Sequence, residues 1–179
     1  ENRELAYVKL LVATGSRPFV PPMQGLDKAE HKFSFMTMDD MLALERELAP
    51  DKRVLVIGAG LIGLKCVEGI LNRVQSVTVV DMADRILPSI LDSEGAAIVQ
   101  RGLEERGVKF CLSDSAERFE GNTAYLKNSK QKLDFDILVV AVGVRPNTDL
   151  VKEAGGEVNR GIVGDKGMRT SLKLSIIHI

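Results

Sequence analysis

The chain has 179 residues, of which 27% are charged, and its formal net charge is −1. This balance gives no general attraction to nucleic acid or to an anionic membrane surface. Apolar runs such as residues 137–144 are much shorter than the roughly 20 residues that span a bilayer, and no signal peptide is recognisable. We therefore expect a cytoplasmic globular protein.

The first predicted elements are a strand and a helix. Residues 9–13 are predicted to form a buried strand, because the four residues after Lys9 are apolar. The three prolines of segment 18–25 predict an irregular connector. Thr37 is a typical N-cap and is followed by acidic residues. This pattern predicts a helix that begins near residue 38 and ends before Pro50.

A strand, a glycine-rich turn and a helix then follow one another directly. Residues 54–57 are apolar and mostly β-branched, and GAGLIG occupies residues 58–63. In this G-x-G-x-x-G pattern, the first glycine allows a tight turn, the second lets a pyrophosphate approach the backbone, and the third lets the helix lie close to the strand. The helix start adds free N–H groups and the positive end of its dipole. The candidate phosphate-binding residues are Gly58, Ala59, Gly60, Leu61, Ile62 and Gly63.

An acidic residue ends the next predicted strand, which covers residues 76–80. Asp81 lies 81 − 58 = 23 positions after Gly58, close to the spacing of about 20 expected for a dinucleotide-binding fingerprint. Its carboxylate can accept hydrogen bonds from the ribose of an adenosine and repels a 2′-phosphate, so we expect NADH to be preferred over NADPH. The alternative, a glycine-rich turn without a ligand, is disfavoured by the combination of both strands, helix and acid.

The remaining pattern completes an α/β fold. A helix from Asp92 to Gly107 and a strand over 108–112 extend the order to β-α-β-α-β, which requires a parallel sheet. Short alternating segments then predict a meander before a last strand at 137–141. We expect a Rossmann-like parallel sheet with helices on both faces and a small antiparallel β-meander. Three lysines, Lys127, Lys130 and Lys132, are interpreted as a solvated hairpin tip.

Three further predictions concern individual residues. Val142 and Gly143 follow the last strand, and the carboxyl ends of parallel strands form the ligand crevice, so Gly143 is expected near Gly58. Cys66 and Cys111 have no redox-dithiol spacing and are expected to be buried, unreactive thiols. Neither they nor His31 and His178 show metal-ligand spacing, so no metal site is expected.

Several segments together resemble the FAD-dependent pyridine nucleotide–disulfide oxidoreductases. LVATGSRP at 11–18 is similar to their A-T-G-S-x-P segment, and VIGAGLIG at 56–63 to their NAD fingerprint. The order and spacing of the matches agree over nearly the whole chain, and the branch resembled is that of NADH oxidases, nitrite reductase flavoproteins and ferredoxin or rubredoxin reductases. The other matching segments are DRILP at 84–88, VGVRPNT at 142–148, and residues 165–171.

The resemblance implies an FAD domain interrupted by an inserted NAD domain and followed by a dimerisation domain. Residues 1–29 would then be an edge of the FAD domain with a connector, 30–147 the NAD domain, and 148–179 a return segment. The family's FAD fingerprint would precede Glu1, so we interpret the chain as part of a longer protein. FAD is accordingly expected in the parent and not in this chain, whose partners would be NADH and the parent's FAD and dimerisation domains.

The resemblance also implies roles within the site. Val142 and Gly143 would lie at the nicotinamide end, while Arg85 and Ile62 are additional candidates for cofactor binding. Lys65 departs from the family, since many members have a glutamate there that faces the nicotinamide. This departure suggests the hypothesis of a different electron acceptor. No residue is predicted to act as a catalytic acid, base or nucleophile.

Three alternatives to an NADH-presenting portion of a flavin oxidoreductase stay open at this point. A stand-alone NAD-binding or sensing module would use the same site without flavin. A self-contained dehydrogenase needs an acid or base, yet Tyr7 and Tyr125 lack a lysine four residues on. The fingerprint could hold FAD instead of NAD, although the A-T-G segment upstream of Gly58 argues against this.

Overall fold

The computed structural model describes residues 3–173 and 175–177, which fall into two compact units. The larger unit covers residues 19–143, and the smaller one combines residues 3–18 with the described residues after 143. Expectations that rest on Glu1 or His178 lie outside the described residues.

The helices and strands of the described residues are numbered in chain order. The α-helices are α1 (Met38–Glu47), α2 (Leu61–Ile70), α3 (Ser93–Glu104) and α4 (Asp149–Glu153). The strands are β1 (Leu10–Val12), β2 (Ser16–Pro18), β3 (Lys32–Phe33), β4 (Arg53–Ile57), β5 (Ser76–Val80), β6 (Val108–Cys111), β7 (Ala116–Glu120), β8 (Thr123–Leu126), β9 (Lys132–Asp134), β10 (Ile137–Val140), β11 (Val144–Pro146) and β12 (Ser175–Ile177).

A five-stranded parallel sheet forms the centre of the larger unit, in the order β3-β10-β4-β5-β6. Strands β4, β5 and β10 are neighbours, and their last residues Ile57, Val80 and Val140 are in register. The segments that follow these three strands therefore leave the sheet at the same edge. These are the segments that carry the predicted dinucleotide site.

The two faces of the sheet are covered differently. Val54 and Val56 of β4 belong to a buried cluster that includes residues of α1, α2 and α3, whereas Leu55 and Ile57 belong to a second cluster with the antiparallel sheet β7-β8-β9. The predicted α/β fold with a parallel sheet and a small meander is confirmed. One detail differs, since the three helices share one face and the meander covers the other. Alternating residues of β4 are apolar on both faces, so either kind of cover satisfies them.

The helix starts follow the predicted capping chemistry. Thr37 Oγ1 accepts from the N–H of Asp40, and the Asp40 carboxylate accepts in return from the N–H of Thr37, which forms a capping box for α1. At α3, Asp92 Oδ1 accepts from the N–H of Gly95 at 2.8 Å. Both predicted helices are confirmed, because these signals depend on residues only three positions apart.

Two aspartates fix the meander and the central sheet. Asp114 is 4% exposed, and its carboxylate accepts from the N–H groups of Ser115, Asn128 and Ser129. Burial by itself would raise the pKa of Asp114, but these hydrogen bonds lower it to about 2. The two-pronged contact from the Arg53 guanidinium, at 3.0 and 3.1 Å, lowers the pKa of Asp136 to about 2.

Acidification is expected to destabilise the larger unit between about pH 4 and pH 2. Asp114 and Asp136 each have a lower pKa in the folded protein than in the unfolded chain. Their contribution to stability is therefore complete when the pH is above the unfolded-state pKa, and it is lost as the pH falls through the folded-state pKa. Chemical unfolding of the unchanged chain and of Asp114→Asn across this range is the measurement. The variant should lose less stability on acidification, and equal losses would contradict the contribution of Asp114.

The smaller unit contains two strand pairs and the short helix α4. Strand β1 pairs with β12 in parallel, and β2 pairs with β11 antiparallel. Thr14 Oγ1 donates to the Asn147 carbonyl at 2.6 Å, while Asn147 Nδ2 donates to the Thr14 carbonyl at 2.8 Å. The sequence predicted β1 but neither β2 nor β11. The predicted burial of β1 is wrong for Leu11, which is 57% exposed, because only one side of this strand is covered in the described structure.

Candidate dinucleotide-binding site

The turn after β4 is shaped by the first glycine of the fingerprint. Gly58 has φ +113°, a conformation that favours glycine, and its N–H donates to the Val80 carbonyl at 2.8 Å. A Cβ at Gly58 would collide with the carbonyl oxygen of Ala141, the residue after β10. The turn is therefore closed against both neighbouring strands and has no room for a side chain.

The other two glycines of the fingerprint differ in what surrounds them. A Cβ at Gly63 would collide with the Gly58 carbonyl oxygen, so helix α2 lies directly on the turn. A Cβ at Gly60 would meet nothing within 4 Å. Gly60 therefore presents bare backbone to open space, which is the geometry required for close approach of a ligand.

Helix α2 begins at this turn with its first N–H groups uncapped by any side chain. Gly60 is the N-cap, and the N–H of Leu64 donates to the Gly60 carbonyl at 3.0 Å. The N–H groups of the preceding residues, Leu61, Ile62 and Gly63, belong to the first helical turn, which has no intrahelical acceptors for them. With the helix dipole, they form a preorganised anion-binding end.

Asp81 lies beside the glycine-rich turn and already contacts it. Its Oδ2 accepts from the N–H of Ala59 at 2.5 Å, and its Oδ1 accepts from the N–H of Ala83 at 2.8 Å. A carboxylate has about four lone-pair sites, so acceptor capacity is left for two ribose hydroxyls. The fingerprint spacing predicted an acid near the turn, but no local pattern predicted this hydrogen bond between residues 22 positions apart.

The segment after Asp81 contacts the backbone carbonyl of Ala59. The N–H of Leu87 donates to the Ala59 carbonyl at 2.9 Å, and Leu87 adopts φ +49°, an uncommon conformation for a branched residue. Both backbone polar groups of Ala59 are thus fixed by residues beyond β5. The sequence did not predict a role for Leu87.

Arg85 belongs to the same segment. One terminal nitrogen of its guanidinium contacts Asp84 Oδ1 at 3.0 Å, whereas its Nε is buried and has no hydrogen-bond partner in the described structure. An unpaired buried donor carries a cost that an anionic ligand could remove. Arg85 therefore combines positive charge with an unused hydrogen-bond donor.

The end of β10 supplies the third side of the site. The N–H of Ala141 donates to the Ile57 carbonyl at 2.8 Å, which holds this strand end next to the turn. Gly143 has φ +122°, and no atom lies within 4 Å of the position that a Cβ would take there, while Val142 is 37% exposed. The structure thus brings the predicted residues after β4, β5 and β10 to one edge of the sheet.

The remaining predicted residues of α2 behave as surface and core. Lys65 Nζ pairs with Glu68 at 2.9 Å on the exposed side, and such a surface pair contributes little stability. Cys66 is fully buried, and burial raises the pKa of its thiol to about 12. Burial and then Asp114 also raise the pKa of the half-buried Cys111 thiol. Both cysteines are free; the predicted burial is confirmed for Cys66, whereas Cys111 is only partly buried. The raised pKa of each thiol agrees with the expected low reactivity, which stays a prediction.

Substitution Cys66→Ser is expected to leave ligand binding intact while lowering the free energy of unfolding by about 1–3 kcal/mol, since it buries a hydroxyl with no prepared partner. Thermal unfolding and NADH titration of the same preparation measure the two effects. Loss of binding in a variant that remains folded would contradict the purely structural role.

The described residues were searched for membrane-spanning helices and for clusters of potential metal ligands. None of their helices is both long and apolar enough to cross a membrane. No group of three or more histidine, cysteine, aspartate or glutamate side chains gathers there in a way that could hold a metal ion.

A parallel sheet with a glycine-rich turn, an uncapped helix start and an acid after the next strand defines a Rossmann-type dinucleotide-binding fold. Residues 1–175 also match the sequence profile described as Pyridine nucleotide-disulphide oxidoreductase. The chain therefore belongs to the pyridine nucleotide–disulfide oxidoreductase family, whose members are FAD-dependent NAD(P)H oxidoreductases.

Individual relatives agree with this family. The chain is 37% identical over 176 residues to an NADH oxidase of Methanocaldococcus jannaschii, covering 94% of this chain but 39% of that protein. It is similar to putidaredoxin reductase in its covalent complex with putidaredoxin, with a TM-score of 0.90 and 29% identity, covering 98% of this chain and 44% of that one. It is also similar to the water-forming NADH oxidase of Lactobacillus brevis bound to NADH, with a TM-score of 0.85, 28% identity and coverage of 97% and 39%. The chain thus spans less than half the length of these relatives.

Proposed function

We propose that this chain is the NAD(H)-binding portion of a flavin-dependent NADH oxidoreductase. The observation that carries the proposal is the Asp81 carboxylate hydrogen-bonded to the N–H of Ala59, within a glycine-rich turn that opens an uncapped helix. The carboxylate would then accept from the ribose while the adjacent helix end binds the pyrophosphate, and their proximity supports the proposal because a dinucleotide requires both.

The proposed pyrophosphate site is the turn and the start of α2. Gly60 leaves open space beside the backbone, and the N–H groups at the helix start supply donors without added side-chain charge. Arg85 would add a cation with an unused buried Nε–H. The full set of residues proposed to hold this part of the cofactor is Gly58, Ala59, Gly60, Leu61, Ile62, Gly63 and Arg85.

Asp81 is proposed to select NADH over NADPH. An engineered mutant of the Lactobacillus brevis enzyme is a water-forming NADPH oxidase bound to NADPH, and it is similar to this chain with a TM-score of 0.83 and 25% identity. Three of its five substitutions replace a glycine, an aspartate eighteen residues later, and a proline seven residues after that. Gly63, Asp81 and Pro88 have the same spacing here. This agreement supports Asp81 as the residue that disfavours a 2′-phosphate.

Val142 and Gly143 are proposed to line the nicotinamide end of the site. A bound NADH supplies a hydride, which in the longer protein would pass to FAD. This chain's part is to bind and orient the dinucleotide, because the proposed site contains no side chain suited to act as an acid, base or nucleophile at the nicotinamide. The final electron acceptor would be set by other parts of the longer protein.

The domain assignment is part of the same proposal. We assign residues 30–147 to the NAD domain and residues 1–29 and 148–179 to edges of an FAD domain completed elsewhere. Within the smaller unit, Leu5, Tyr7, Val8 and Leu11 are each more than half exposed, which supports packing against further chain. FAD is therefore not expected to bind this chain alone. We place the protein in the cytoplasm, where the two free thiols suit a reducing environment.

Titration of the purified chain with NADH tests the proposal, with NADPH and FAD as parallel controls. We expect saturable NADH binding, much weaker NADPH binding and no FAD binding. Tight FAD binding would reassign the glycine-rich turn to the flavin, and a folded chain that binds none of the three would overturn the proposed function.

A further inference from the structure

Met82 lies directly after Asp81 and presents a large apolar side chain at the surface. It is 80% exposed, and among the described residues it belongs to neither of the two buried clusters. Its neighbours along the chain differ from it, since Val80 is fully buried and Ala83 is small and half-buried. The side chain next to the candidate ribose acceptor is therefore apolar and largely uncovered.

The exposure of Met82 does not arise from a loose loop. The N–H of Asp81 donates to the Cys111 carbonyl at 3.1 Å, and the N–H of Ser113 donates to the Ala83 carbonyl at 2.8 Å. The N–H of Ala83 also donates to Asp81 Oδ1 at 2.8 Å, which closes a turn around Met82. The backbone is hydrogen-bonded on both sides of Met82, so the turn itself holds this side chain at the surface.

The adenine base of a dinucleotide would lie beside this turn, and this step rests on the proposed function. If Asp81 accepts from the ribose hydroxyls, the base must be close to Asp81, because it is joined directly to the same ribose ring. Successive Cα atoms are about 3.8 Å apart, so the long side chain of Met82 begins within reach of the base. The next large apolar residues along the chain are engaged elsewhere, since Ile86 belongs to the buried cluster under the helices and Leu87 packs against it.

A further substitution in the engineered NADPH oxidase falls at the corresponding position. In that enzyme, the alanine directly after the replaced aspartate is changed to arginine. The spacing that matches this aspartate with Asp81 also matches the alanine with Met82. The two chains therefore differ at this point, and this one has a longer side chain than alanine, without charge, next to its candidate ribose acceptor.

We propose that Met82 packs against the adenine ring of bound NADH and is a positioning residue for the adenosine end of the cofactor. A thioether sulfur makes favourable contacts with aromatic rings, and the unbranched side chain of methionine adapts its shape to a flat ring. The contact would also remove from water an apolar surface that the unliganded chain exposes. Asp81 would thus hold the ribose, and Met82 would hold the base.

The first test is nuclear magnetic resonance of the whole chain, isotope-labelled at its methionine methyl groups. The signal that disappears in Met82→Ala is the signal of Met82. We expect it to move upfield with NADH and with ADP-ribose, because both carry adenine and an aromatic ring shields nuclei that lie over its face. Reduced nicotinamide mononucleotide lacks adenine and should leave the signal in place. Met38, which is 66% exposed at the start of α1, is an internal control whose signal should not move.

Affinity gives a second measurement. Met82→Ala is expected to weaken NADH binding about threefold to tenfold, whereas Met82→Leu keeps the apolar bulk and should retain most of the affinity. Met38→Ala, the matched control, should bind NADH like the unchanged chain. The loss in Met82→Ala should be similar for ADP-ribose and absent for reduced nicotinamide mononucleotide. A purely structural role in the turn would instead lower the affinity for all three ligands.

Two kinds of failure are distinguishable. A Met82 signal that stays in place while NADH binds, or equal NADH affinity in Met82→Ala and Met38→Ala, would overturn the role of Met82 and leave the proposed function intact. A folded, unchanged chain that does not bind NADH would overturn the proposed function, and the role of Met82 with it.

Discussion

Substitution Asp81→Ala is expected to weaken NADH binding by about 1–3 kcal/mol and to narrow the preference for NADH over NADPH. The change removes the proposed acceptor for the ribose hydroxyls and the negative charge that repels a 2′-phosphate. It also removes the contact at 2.5 Å that holds the Ala59 N–H. Dissociation constants for both cofactors, measured on the same folded preparation, give the two effects.

The two roles of Asp81 leave different signatures. Loosening of the turn lowers the affinity for both cofactors by a similar factor, because both carry the pyrophosphate. Loss of the negative charge and of the ribose contact instead changes the ratio of the NADH and NADPH dissociation constants. Glu94→Ala removes one exposed negative charge from α3 and serves as a control that should preserve the ratio. An unchanged NADH/NADPH ratio in Asp81→Ala would reject the selectivity role.

Substitution Gly60→Ala is expected to abolish most NADH affinity without harming the fold. Gly60 has φ −79° and open space at the Cβ position, so alanine fits the unliganded chain and should keep the free energy of unfolding or raise it by up to about 1 kcal/mol. The added methyl would occupy the place where the pyrophosphate approaches the backbone. Steric overlap of this kind typically costs about 1–3 kcal/mol, a loss of roughly ten- to a hundredfold in affinity.

Two other glycines make this prediction specific. Gly69→Ala, on the exposed side of α2 with nothing within 4 Å, should leave NADH affinity unchanged. Gly58→Ala should destabilise the protein itself, because φ +113° and the Ala141 carbonyl both exclude a Cβ. Circular dichroism and NADH titration of all three variants separate folding from binding. Unaltered NADH binding by Gly60→Ala would show that the pyrophosphate does not bind at this turn.

The sequence predicted the parts of the fold that depend on near neighbours along the chain. The capping box of Thr37 and Asp40 spans three positions, and the apolar run of β4 leads directly into the glycine-rich turn. The alternation of strands and helices then requires a parallel sheet. Because parallel strands share an edge, the sequence also indicated that Gly58, Asp81 and Gly143 follow strands at one side of the sheet.

Only the tertiary structure decided which element covers each face of the sheet. Strand β4 is apolar on both sides, and an apolar face is satisfied equally by helices or by a second sheet, so the pattern could not place all three helices on one side. The short strands β2 and β11 were likewise not predicted. Each has three residues and includes a proline, and they pair across more than a hundred positions of chain.

The same limit applies to the proposed dinucleotide site. The hydrogen bonds that fix the backbone of Ala59 come from Asp81 and Leu87, and their geometry depends on how the chain returns after β5. Local patterns record which residues are charged or apolar. The distances between side chains remote in sequence arise only when strands take their register, and for that reason the structure alone showed this arrangement.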